Sequence, residues 1–316
     1  MSLSTGIALG PKDLMARVKV FAEANGWTTL YSAPVINYEA NRQNWAFKKT
    51  IQSVERFFYM QALDDVLEIN IVGMTGWDAS TAVIKDNGLL QPEATENWAK
   101  TNYLQAPMRR YWIFGDTDYI HVIIEMTTNV FGHFGVGVVV KQAPYVGGEY
   151  TYGTWNYTYN NAPMNYSHSY NAWPFDSYPD HESGDQPYFG AIRAVGDGAP
   201  GGWNYFTNSN LTDVRMAKGQ TRQGSYIHDL IERSGPIDYS GQGMLIPNYL
   251  FVRYYNIDQW GYVGRPQAMR VCNMDTFAPA ESFLLGSDTW WAFPIRSKSA
   301  LGLNSDIYGL AFKEVP

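Results

Sequence analysis

Apolar and polar residues recur at two different periods along this chain, and the change of period marks where helix gives way to strand. Between Pro11 and Gly26, Leu14, Val18, Phe21 and Ala22 fall at i, i+4, i+7 and i+8, with Lys12, Arg17, Lys19 and Glu23 on the remaining faces. That spacing predicts an amphipathic helix over 12–25, packed on a sheet edge or on a neighbouring subunit. Pro11 suits a first helical position and Gly26 a left-handed stop.

Beyond Gly26 the pattern is that of strands. Trp27–Tyr31 is a short one, ended by Pro34. Phe47–Ala62 reads as one long aromatic and β-branched strand, which turns through Leu63-Asp64-Asp65 into Val66–Met74 as an antiparallel hairpin. A second hairpin joins Tyr111–Phe114 to Tyr119–Met126 through Gly115-Asp116-Thr117-Asp118, where Gly and Asp tolerate unusual backbone angles. Its second strand carries Ile120, Val122 and Ile124 on one face and His121 on the other. Phe131–Lys141 adds a strand whose glycines at 132, 135 and 137 suggest bends or close backbone approach.

The character shifts after Ala143. Tyr150–Trp173 holds eight aromatics, five asparagines and no Asp, Glu, Lys or Arg, so it reads as a long excursion of loops and short strands. It is ordered only if its aromatics pack against something. A short helix follows at Ser225–Arg233, then strands at Tyr249–Tyr255, Ala268–Cys272, Phe283–Leu285, Thr289–Phe293 and Tyr308–Lys313. The expected fold is mainly β, with antiparallel, sandwich-like sheets, an N-terminal amphipathic helix, a short second helix and the aromatic excursion. No Ser/Gly or charge block divides the chain. The organisation expected is an N-terminal helix over 1–26 and one interwoven β domain over 27–316 with an insertion at about 143–215.

Charge narrows the function. With 23 Lys and Arg against 30 Asp and Glu and no basic run, the chain lacks the electrostatic footprint of a nucleic-acid binder. Its longest apolar stretches, such as Val136–Val140, are far below the roughly 20 residues of a membrane span. The start, Met1-Ser-Leu-Ser-Thr-Gly, lacks the basic and apolar regions of a signal peptide. Cys272 stands alone, so no intrachain disulfide forms, and it reads as a small core residue.

Catalytic patterns are not written here. No two of the five histidines sit at i, i+3 or i, i+4, and His121 and His133 read as structural residues whose rings bond a neighbour. The segment Phe175–Gln186 gathers Asp176, Asp180, Glu182 and Asp185, but its spacing matches no calcium loop and it reads as an acidic exposed loop. Gly132-x-x-Gly135-x-Gly137 lacks the Lys-Ser/Thr ending of a phosphate loop, and no Gly-x-Ser-x-Gly elbow occurs. The expectation is no enzyme, no metal and no cofactor. The aromatic tract is the candidate contact surface, through Tyr150, Tyr152, Trp155, Tyr157, Tyr159, Tyr166, Tyr170 and Trp173. Two uses are open for it. Tyr and Trp can stack on sugar rings, or the same side chains can form a minicore or a subunit interface; a large uncharged aromatic surface left in water would promote aggregation, which favours the second.

The stretch Asp116-Thr-Asp-Tyr-Ile-His-Val-Ile-Ile-Glu125, then Phe131-Gly-His-Phe-Gly-Val-Gly137, Lys141 and Gly147-Gly-Glu-Tyr150, resembles virion structural proteins of tailed bacteriophages. Gly286-Ser-Asp-Thr-Trp-Trp-Ala-Phe-Pro294 and Ser305-Asp-Ile-Tyr-Gly-Leu-Ala-Phe-Lys313 are similar to the end of the same group. The resemblance covers about residues 110–150 and the last third. It implies a homo-oligomeric structural subunit of the tail or baseplate, assembled in a bacterial cytoplasm, whose partners are copies of itself and other virion proteins. It carries over no catalytic residue. The alternative is a carbohydrate-binding module that recognises host glycans through residues 150–173.

Overall fold

The computed structural model describes residues 2–35, 37–78, 98–102, 104–154, 190–194, 203–205, 244–254, 259–295 and 308–314. They form a mainly β fold with antiparallel sheets and one helix near the N-terminus. Three sheets are stacked, with a central sheet covered on both faces.

The helix, α1 (Pro11–Ala24), has Pro at its first turn and buries Leu14, Met15, Val18, Phe21 and Ala22, as the 3.6-residue period predicts. Asn25 and Gly26 end it: Gly26 has φ +78°, and its N–H returns to the Glu23 carbonyl. A strand that the periodicity did not reveal precedes it. This is β1 (Leu3–Ala8), which pairs with β7 (Met108–Gly115) and becomes one edge of the central sheet. The apolar face of α1 is thus spent inside the chain, against the core beside β1 and β7, and is not open to a neighbouring subunit.

The first outer sheet runs β2 (Thr28–Pro34), β3 (Arg42–Ile51), β4 (Val54–Leu63), β5 (Glu68–Met74) and β6 (Ala99–Thr101). The single long strand expected at 47–62 is in fact two. Gln52 and Ser53 both take positive φ, 52° and 63°, and fold the chain through a two-residue turn. That is the conformation twisted hairpins favour, but neither residue is the Asn or Gly that normally announces it. The turn at 63–67 joins β4 to β5 as expected.

The central sheet is ordered β1-β7-β8-β9-β10-β11-β12, where β8 is Tyr119–Thr127, β9 Val130–Lys141, β10 Glu149–Gly153, β11 Gly190–Arg193 and β12 Trp203–Tyr205. The β7–β8 hairpin forms as expected, and Gly115, expected in the turn, is already paired with Ile120. Strands β10, β11 and β12 lie within the region expected as an insertion, yet they continue this sheet. At its far end, Val139–Lys141, β9 pairs instead with β15 (Gln259–Pro266), which in turn pairs with β14 (Leu250–Tyr254). The second outer sheet is ordered β13 (Leu245–Pro247), β16 (Met269–Asn273), β19 (Tyr308–Glu314), β18 (Asp288–Pro294) and β17 (Glu281–Leu285).

Two cores follow from this layering. Ile113, Ile120, Val122, Ile124, Phe134 and Val136 meet α1 and the first outer sheet, where Trp45 stacks on Phe47 with ring centroids 3.9 Å apart. Trp112, Phe114, Ile123 and Phe131 meet Val271, Phe293, Leu310 and Phe312 of the second outer sheet. Burial on both faces explains why β8 reads as a nearly unbroken apolar run rather than a clean alternation. The short helix expected at Ser225–Arg233 and the acidic loop at 175–186 lie outside the described residues.

Candidate functional site

Of the eight aromatic contact candidates, Tyr150 and Tyr152 lie in the described part, and neither is at the surface. Both alternate onto the same face of β10 and are fully buried in the core under the second outer sheet. Their expected role as surface contacts is corrected: an interior ring offers nothing to a glycan or a subunit. Trp155, Tyr157, Tyr159, Tyr166, Tyr170 and Trp173 lie outside the described residues.

What the two tyrosines do is hold a histidine. The His121 ring sits between them, with Nδ1 2.9 Å from the Tyr152 hydroxyl and Nε2 3.1 Å from the Tyr150 hydroxyl. Burial, and next the nearby His133, push the His121 pKa down to about 3, so the ring is neutral. A neutral imidazole has one N–H and one lone pair, so one tyrosine accepts from the ring and the other donates to it. His133 is buried too, its pKa lowered to about 4 by desolvation. Its Nε2 donates to the Pro294 carbonyl at 2.8 Å, which fixes the tautomer and ties β9 to β18 of the second outer sheet. The reading of both histidines as structural residues bonded to neighbours matches this geometry.

Between the central sheet and the first outer sheet lies a buried ion cluster. Glu149 of β10 pairs with Arg56 of β4 and, at 3.3 Å, with Arg193 of β11. Burial lowers the Arg56 pKa, and the Glu149 charge opposes that effect. No sequence pattern announced the cluster, since its members are far apart in the chain: Glu149 and Arg193 meet through strand pairing, and Arg56 joins them through sheet stacking.

One open cleft of about 800 Å³ lies where all three sheets end together. The β7–β8 turn contributes Asp116 and Asp118, β9 contributes Val138–Lys141, and the β15–β16 link contributes Arg265, Gln267 and Ala268. Arg270, Asp288, Trp290 and Lys313 come from the second outer sheet, and Gln52 from the β3–β4 turn. Lys313 is paired with Asp288 at 2.7 Å, and Lys141 Nζ donates to the Tyr145 carbonyl at 2.7 Å. Asp116 accepts the Asp118 backbone N–H at 2.7 Å, and burial raises its pKa despite that bond. The turn chemistry that made the hairpin legible in the sequence therefore also supplies one wall of the cleft. The basic wall joins Lys141 of β9 to Arg265, Arg270 and Lys313 from the last third, and this scattered set carried no signal.

Among the described residues, no group of three or more His, Cys, Asp and Glu side chains could hold a metal ion. Nor is any described helix long and apolar enough to cross a membrane. Cys272 is buried, its Sγ beside the Met274 thioether at 3.9 Å. Neither the family models nor the curated proteins include a match to this chain.

Proposed function

We propose that the chain is a structural subunit of a tailed-phage virion, in the tail or baseplate, and that it works through contacts with copies of itself and other virion proteins. The observation that carries this reading is the edge strand β17. Among the described residues it pairs with β18 alone, and Leu284 and Leu285 are 74% and 52% exposed. A strand edge presents a row of unpaired backbone N–H and C=O groups, which proteins usually protect with Lys, Pro or a bulge. The run Glu281-Ser-Phe-Leu-Leu285 has none of these.

A second copy is the occupant this edge favours. Among the described residues β1 likewise stands at the end of its own sheet, with Ile7 64% exposed. Two different edges on one chain suit a head-to-tail contact, which closes into a ring or continues as a stack. Backbone pairing would supply affinity and the leucines specificity. Mass photometry of the purified chain, and of Leu284→Lys with Leu285→Lys, tests this. Rings or stacks for the parent and monomers for the variant are expected. A parent that stays monomeric at micromolar concentration, or a variant that assembles as well as the parent, overturns the reading.

A further inference from the structure

The cleft at the ends of the sheets holds charges that the fold itself does not use. Its lining carries Lys141, Arg265, Arg270 and Lys313 against Asp116, Asp118 and Asp288, an excess of one positive charge. Lys313 and Asp288 neutralise each other. Among the described residues, Arg265 and Arg270 form no salt bridge with any carboxylate. Arg270 is anchored by its own backbone region, donating to the carbonyls of Gln267 at 3.1 Å and Met269 at 2.8 Å, and its guanidinium lies over the Trp290 ring at 5.3 Å.

Two further donors belong to the same lining. The Tyr119 hydroxyl and the Trp290 indole N–H are buried without a hydrogen-bond partner among the described residues. A donor buried without a partner carries a desolvation penalty that a ligand's acceptor would offset. Burial lowers the Arg270 pKa, and Arg265 lowers it further, so an anion between the two would offset their mutual repulsion.

We propose that this cleft binds a sugar acid, with the ligand's carboxylate at Arg265 and Arg270 and its hydroxyls facing Asp116, Asp118, Gln52 and Gln267. The single excess charge matches a monoanion better than a phosphate. A planar carboxylate also suits the forked guanidinium geometry. The aspartates and glutamines supply the acceptors that a polyhydroxylated ring needs, and Val138, Val139 and Ala268 offer apolar wall for its carbon skeleton. A fully apolar acid would leave those carboxylates desolvated and unpaired.

The test is saturation-transfer NMR on the full chain with glucuronate, glucose, acetate and inorganic phosphate as probes. Glucuronate is expected to bind at least tenfold more tightly than glucose or acetate, and to resist displacement by an equal concentration of phosphate. Arg265→Gln, at the half-buried rim, is expected to weaken glucuronate at least tenfold while leaving the melting temperature unchanged. Equal binding of glucose removes the anion requirement, equal binding of acetate removes the sugar, and tighter binding of phosphate removes the carboxylate; each overturns the proposal. So does an Arg265→Gln protein that melts normally and binds glucuronate as the parent does. If that variant does not fold, the four-probe comparison on the parent decides alone.

Discussion

Acidification should destabilise this protein before most of its carboxylates titrate, because two histidines are held neutral in its core. In the folded chain His121 and His133 have pKa values of about 3 and about 4, against an ordinary value of 6.5. Their folded pKa values lie below the unfolded ones, so the unfolded chain takes up protons first. The stability they allow is complete above pH 6.5 or so and falls as the pH drops through that value toward the folded pKa values. One pKa unit corresponds to about 1.4 kcal/mol, so at pH 5 each histidine costs about 2 kcal/mol and the pair about 4. That is a large share of the roughly 5–15 kcal/mol by which domains are stable. Asp116 works in the opposite sense, since its raised pKa favours the folded state at low pH. The assay is urea unfolding followed by tryptophan fluorescence from pH 7.5 to pH 5, on the parent and on His133→Gln. The parent should lose stability continuously below about pH 6.5, and the variant, less stable at pH 7.5, should show about half the slope. A parent whose unfolding midpoint does not move over this range would refute the reasoning. So would a variant that keeps the full slope.

Three further outcomes follow from named contacts. Val122→Asp places an unpaired charge at a fully buried position of β8, at a cost of several kcal/mol; a variant whose circular dichroism melt matches the parent would show that this strand is not core. Ser53→Gly relieves a left-handed residue at φ 63° and should stabilise by about 0.5–1 kcal/mol; a lower melting temperature would contradict the turn geometry. Arg56→Met leaves Glu149 with Arg193 alone and should cost about 3 kcal/mol, while adding Glu149→Leu should recover most of the loss. Chemical denaturation of the single and double variants measures both, and a double variant no better than the single would count against a desolvated ion cluster.

The elements legible in the sequence were those whose signal is local. The helix followed from a 3.6-residue stripe bracketed by Pro11 and Gly26, and the β7–β8 hairpin from its Gly-Asp turn. The β3–β4 turn was missed because Gln52 and Ser53 adopt left-handed angles that residues of their type rarely take, so tertiary pairing overrode local preference. The role of Tyr150 and Tyr152 was missed for a different reason. Composition marks an aromatic as a large contact-former but does not say whether its partner lies inside or outside the chain. His121, which receives both hydroxyls, is about 30 residues earlier and on a strand not even adjacent to theirs. The cleft was invisible for the same reason of distance, since its basic wall is assembled from β9, β15, β16 and β19.

The way the chain leaves and re-enters the central sheet between β10 and β11 has a consequence for how such a protein can diversify. Tyr152 pairs with Gly190, so the polypeptide departs and returns through neighbouring antiparallel strands, as it would in a tight hairpin. The described residues on either side of 155–189 are therefore held on neighbouring strands by the β10–β11 hydrogen bonds. Loop-closure entropy grows only slowly with length, by about 0.6 kcal/mol per doubling. The segment that carries most of the aromatic tract thus leaves and re-enters the sheet at paired positions, where a change in its length carries little entropic cost.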